Sequence, residues 1–161
     1  MARLEIPVLL RWSDLDAYQH VNNAAMLTLL EEARITAFWR APAGELAPWP
    51  TAVLDAGPTA QMSTLVARQE IEYLRPLSYR RTPVVVEMWL GHLGGASLDV
   101  SYEMRDPLVE GEPRVVYARA ATTVVLVSTA TGAPVRIGPD ERAAWEPYVE
   151  EPVAIRRRPQ G

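Results

Sequence analysis

The chain of 161 residues contains no cysteine and no lysine. Without cysteine there is no disulfide, no thiol nucleophile and no cysteine-ligated metal. Without lysine there is no Schiff-base site and no P-loop lysine. Every basic residue is arginine, a bias of composition that carries no function by itself. No apolar run approaches the roughly 20 residues of a membrane helix. The residues up to Glu5 hold no apolar core of a signal peptide. The net charge of −4 gives no footprint for nucleic acid. These absences lead us to expect a cytoplasmic protein with no nucleic-acid and no membrane partner. What remains is a balanced globular composition, 48% hydrophobic and 22% charged. The length suits one domain over residues 1–161, with a core at about 5–135 and a tail at 136–161.

Hydrophobic periodicity orders the elements. Glu5 to Trp12 reads as a strand with Ile6, Val8, Leu10 and Trp12 on one face. Asn23 to Arg40 runs without glycine or proline and reads as a helix. Its polar residues Thr28, Glu31, Glu32 and Thr36 form one narrow strip, so the helix should be largely enclosed. Glu31 and Glu32 are expected to pair with Arg34 along the helix surface, or one of them to line a cleft. From Ala41 to Pro58, prolines and glycines make a long loop, with one helical turn expected at 52–56. Its Leu46, Trp49, Val53 and Leu54 either shape a pocket or cover the core. Four strands follow, at 65–74, 83–92, 97–105 and 114–127, and the short links between them predict antiparallel pairing of successive strands. A short helix is expected at 140–148 and a frayed end at Arg156, Arg157 and Arg158. This order predicts an α+β fold, an antiparallel sheet wrapped around one long central helix, the hotdog arrangement.

Between the first strand and the helix lies Ser13 to Ala24, SDLDAYQHVNNA. Asn22 or Asn23 is placed to cap the helix. A helix N-terminus offers unpaired amides and partial positive charge, which suit an anion or a developing oxyanion. A carboxylate beside it, Asp14 or Asp16, can attack a carbonyl or deprotonate a water that does. Each residue also has a plain reading. Asp14 and Asp16 can cap turns or pair with arginine, and His20 and His92 can be packing residues. A metal reading needs Asp14, Asp16 and His20 to converge, with no second histidine nearby to complete a common set. No metal or cofactor is expected.

The stretch Arg11 to Arg34, RWSDLDAYQHVNNAAMLTLLEEAR, resembles the opening of acyl-CoA thioesterases of the 4-hydroxybenzoyl-CoA thioesterase family, which are hotdog proteins. RQEIEYLRPL, Arg68 to Leu77, and the TGxP turn at Thr131 to Pro134 extend the likeness over about residues 5–135. The resemblance implies that Asp16 is the base or nucleophile against a thioester carbonyl. It implies that amides around Val21, Asn22 and Asn23 bind the carbonyl oxygen, and that His20 and Asn23 line the site. Arg75, Arg80 and Arg81 would meet CoA phosphates or else form a solvated turn. Gly95 and Ser97, with Gly94, resemble a glycine-serine stretch that lies near substrate from a partner subunit, or else form a plain hairpin. One branch of the family carries Tyr or Tyr-His before the helix; here Val21-Asn22-Asn23 matches the branch with long-chain or broad acyl-CoA substrates. The implied partners are an acyl-CoA or acyl carrier thioester and a second copy of the chain, as homodimer or homotetramer. Two other functions fit the same scaffold. One is a non-catalytic acyl-thioester-binding module, the other an enoyl-thioester hydratase or dehydratase using Asp16 with His20.

Overall fold

The computed structural model describes residues 2–156. Arg157 and Arg158 lie outside the described residues. Five strands, β1 (Leu4–Val8), β2 (Met62–Tyr73), β3 (Val84–Leu93), β4 (Ser97–Arg105) and β5 (Val116–Ser128), form one antiparallel sheet. Helix α1 (Asn23–Phe38) stands between β1 and β2, and α2 (Pro139–Trp145) follows β5. The strand order is β1-β3-β4-β5-β2. Successive pairing therefore holds for β3-β4 and β4-β5 but fails for β2-β3. The link after Tyr73 runs along the turn that precedes α1, where Leu77 is buried and its carbonyl accepts the Val21 N–H at 2.8 Å. β3 is then flanked by β1 and β4, and β2 closes the far edge on β5.

The inner face is read from the register. Ile6, Val86, Met104 and Ala118 sit in one row across four strands, and Leu4, Met88, Tyr102 and Ala120 in the next. Against these rows α1 buries Met26, Leu29, Leu30, Ala33, Ala37 and Phe38. Thr28, Glu31, Glu32 and Thr36 face solvent as the spacing predicts. Asn22 caps the helix, its Oδ1 accepting the Ala24 N–H at 2.8 Å.

Three local expectations are corrected. β1 ends at Val8, and Trp12 lies 72% exposed in a 3-10 turn, edge-on to Tyr79. That turn forms because the Asp14 carboxylate accepts the Arg11 backbone N–H at 2.7 Å and bends the chain. Residues 52–56 form no helical turn. Instead Leu54 makes a parallel bridge to Trp39, while the buried Thr51 hydroxyl donates to the Ala37 carbonyl at 2.6 Å. Arg156 is not loose, since its N–H donates to Glu72 at 2.8 Å.

The outer face of β3 and β4 is covered rather than solvated. On β4, Ser101, Glu103 and Arg105 are buried although their alternation reads as a polar face. The segment after α2 crosses over them. Trp89 Nε1 donates to the Glu151 carbonyl at 2.8 Å, and the Val153 N–H to Ser101 Oγ at 3.1 Å. Gly91 permits this approach, because a Cβ there would stand 3.0 Å from Pro152. Burying Arg105 is tolerable only with paired charge. Glu87 accepts from Arg105 at 2.5 Å and from Arg3 at 2.8 Å, and Arg3 also binds Glu150.

Asn22→Ala should lower stability by about 1 kcal/mol, the usual cost of losing an N-cap, as read by urea denaturation. Burial opposes the charge on Glu87, but hydrogen bonds from Arg105 and Arg3 outweigh it and hold the carboxyl below its ordinary 4.5. The hydrogen bond from Arg3 lowers Glu150 likewise. Groups with lowered folded pKa values stabilise above their unfolded values, and that stability is lost as pH falls through the folded ones. The melting temperature should therefore be flat near neutrality and drop as pH falls below about 4.5. Glu87→Gln should melt lower at pH 7 with a shallower acid slope.

Candidate active site

The segment between β1 and α1 is tied down by its own polar groups. The buried Asp14 carboxylate takes the Arg11 backbone N–H and guanidinium, the latter at 2.8 Å. Its backbone carbonyl accepts the Asn22 N–H at 2.8 Å. Asp14 is thus a structural residue whose carboxylate is already engaged. Leu15 bridges Val21, and the residues between them make a tight turn with Gln19 at φ 62°. Asp16 heads this turn. Its N–H donates to the His20 carbonyl at 2.8 Å, and its Oδ1 accepts from the N–H groups of Tyr18 at 2.8 Å and His20 at 3.3 Å. Its Oδ2 has no hydrogen-bond partner among the described residues. The carboxylate is therefore oriented by one oxygen while the other is left open.

Asp16 lines an open cleft of about 340 Å³ with Val21, Asn23, Met26, Tyr73 and Arg75. The cleft lies at the N-terminus of α1, the end that carries partial positive charge. The amides there can be counted. The Val21 N–H is given to Leu77, the Asn22 N–H to Asp14 and the Ala24 N–H to the Asn22 side chain. Val21 and Asn22 thus cannot supply free amides, which corrects that expectation. Among the described residues the N–H groups of Asn23 and Ala25 have no partner. Of these two, Asn23 is in the wall of the cleft. Tyr73 closes the side from β2, its hydroxyl donating to the Asn23 carbonyl at 2.7 Å, and burial raises its pKa.

The remaining expected residues divide. His20 reaches Asp16 through its backbone and bridges Ser78, and its ring is not part of the cleft wall. Arg75 lines the cleft, and Arg81 is exposed. Arg80 is held by Asp106 at 2.6 Å and by the Tyr117 hydroxyl at 2.9 Å, so it is not free for a phosphate. Gly95 and Ser97 lie far from the cleft within one protomer. Ser97 pairs with Val125, which pairs with Leu65 of β2, whereas the cleft is at Tyr73. The eight residues from Leu65 to Tyr73 span about 26 Å of strand. Arg34 does not pair with Glu31 or Glu32; it turns under the helix and donates to Tyr102 at 3.1 Å.

Sequence reasoning missed Tyr73 and Met26 as parts of the cleft. Tyr73 had a signal in sharing a strand face with Ile71. Met26 had one in lying a helical turn beyond Asn23.

Comparison with known proteins identifies the family of the chain. The model of the thioesterase-like superfamily matches residues 10–145. The probable thioesterase YbaW of Escherichia coli is 28% identical over 92% of this chain and 98% of its own, with a TM-score of 0.62. A Xanthomonas campestris protein described as a candidate acyl-CoA thioesterase is 29% identical over 78% and 93%, with a TM-score of 0.59. The dynemicin thioesterase, 19% identical over 95% and 100%, shares the fold at a TM-score of 0.70. No curated protein matches the sequence. No described helix is long and apolar enough to cross a membrane. With its α+β sheet and its match over residues 10–145, the chain belongs to the thioesterase-like superfamily and is a thioester hydrolase of hotdog type.

Proposed function

We propose that the protein hydrolyses acyl-CoA thioesters, with Asp16 as general base and the Asn23 N–H as oxyanion donor. One observation carries this reading: Asp16, with one carboxylate oxygen unpartnered among the described residues, and Asn23, with its amide unpartnered, line the same cleft at the positive end of α1. Asp16 takes a proton from water as the water oxygen bonds to the thioester carbon. The carbonyl oxygen gains negative charge and is held by the Asn23 N–H and the helix terminus. The C–S bond then breaks, the electron pair leaves on sulfur, and the proton passes from Asp16 to the thiolate. The products are a free acid and CoA. His20 serves by fixing Asp16 through its N–H. Arg75, in the cleft wall, and Arg81, exposed on the following turn, are the cations placed for CoA phosphates. The similar protein from Xanthomonas supports CoA as carrier.

The working unit in this reading is a homodimer of single-domain hotdog protomers, with α1 as the central helix. β2 is a terminal strand of twelve residues, and its Leu65 and Val66 are 55% and 46% exposed. As an edge strand, β2 presents backbone N–H and C=O groups with which a second copy can pair. Antiparallel pairing of two β2 strands would carry the partner's Leu65 end, and with it the Gly95 and Ser97 turn, toward this protomer's cleft. A cytoplasmic setting fits the lack of cysteine.

Asp16→Asn keeps size and removes charge; it should lower kcat by at least about a hundredfold with an unchanged circular dichroism spectrum. Turnover retained in that folded variant would remove Asp16 from the chemistry. For the dimer, sedimentation should give twice the monomer mass. Val66→Asp should yield a folded monomer with greatly reduced hydrolysis.

A further inference from the structure

β2 ends at Tyr73, and there it meets the first residue of α1. The Tyr73 ring lines the cleft together with Asp16 and Asn23. Its hydroxyl donates to the Asn23 carbonyl at 2.7 Å. Among the described residues no other hydrogen bond joins β2 to α1.

Neither group requires this bond to offset burial. Tyr73 is 44% exposed and Asn23 is exposed as well, so water can serve both. The carbonyl of a first helical residue also accepts, inside the helix, from the N–H four positions on. What the bond adds is position. Helix ends fray, and the proposed oxyanion donor belongs to the first residue of this helix. The approach to that residue is already tied. The Val21 N–H is given to Leu77, the Asn22 N–H to Asp14, and the Asn22 carbonyl accepts the Met26 N–H at 3.0 Å. All of these bonds act before the Asn23 Cα. The Tyr73 hydroxyl acts after it, on the next peptide plane. With a peptide plane pinned on either side, the Asn23 N–H has a fixed direction. The Tyr73 proton is itself committed to a carbonyl, and burial raises the pKa of the phenol. Tyr73 therefore holds backbone rather than serving as an acid for the leaving sulfur.

We infer that Tyr73 is a positioning residue of the hydrolysis: its hydroxyl holds the first turn of α1 so that the Asn23 N–H meets the developing oxyanion without reorganising. This rests on the thioesterase reading, in which Asn23 is the oxyanion donor. Ground-state binding of the substrate does not draw on the bond, so its loss belongs in kcat rather than in KM.

The test is Tyr73→Phe, which removes the hydroxyl and keeps the wall of the cleft. On a panel of acyl-CoAs with a thiol-detecting reagent, kcat should fall about tenfold, less than the roughly hundredfold cost of a misplacement of about 1 Å. KM should stay within about twofold. The circular dichroism spectrum and the sedimentation mass should not change. In heteronuclear NMR the backbone amide signals of Asn23 and Ala24 should shift or broaden while those of β3 and β4 stay. A lower melting temperature with kcat intact marks a merely structural bond and overturns the inference. A loss confined to KM, or a fall in kcat with the Asn23 signal unmoved, overturns it too. Tyr73→Leu removes the same hydroxyl together with the ring, and decides the matter if the first variant does not fold. It should show the same fall in kcat with a raised KM, and an unchanged kcat overturns the inference. A wild type that releases no CoA from any member of the panel is a separate failure, in which the thioesterase reading falls and takes this role with it.

Discussion

One backbone contact organises the cleft: the Asp14 carbonyl accepts the Asn22 N–H. It joins the start of the turn to the start of the helix, so the residues between have one course to follow. Asp14 can serve because its side chain is itself locked by Arg11. With both ends fixed, Asp16 is presented beside α1, and the cap on Asn22 leaves the Asn23 amide without a claimant. The pair we propose for the chemistry is what this accounting leaves over. Two carboxylates two residues apart have opposite fates because one is buried on a guanidinium and the other is held by backbone donors on one side only.

Much of this was legible in the sequence. The glycine-free run located α1 from Asn23, and strict alternation located β4 at its observed bounds. Asp16 and Asn23 were marked by their place in SDLDAYQHVNNA. Other features depend on partners distant in the chain. The Val21 amide is spent on Leu77, fifty-six positions later, which no local pattern announces. Arg34 looked like a surface ion-pair partner of Glu31, because helical spacing reports neighbours on the helix and not what lies beneath it. The strand order misled for a similar reason, since a short link suggests adjacency but cannot reveal that it pairs with the turn before α1.

The outer face of the sheet obeys the opposite economy to the site. There every buried charge is answered, and Arg105 between Glu87 and Glu5 shows how complete the pairing is. The covering segment shields those pairs from water and so strengthens them.

The far-edge pairing of β2 with β5 joins Met62 to Ser128 and Tyr73 to Ala118. Loop closure for such a remote match costs more chain entropy than closing the β3-β4 or β4-β5 hairpins. Tyr73, which walls the cleft, is carried by this strand, whose pairing spans more chain than any in the sheet but β1 on β3. Loosening at that margin would therefore dismantle the cleft while the central meander stayed whole, making the cleft more fragile than the scaffold that bears it.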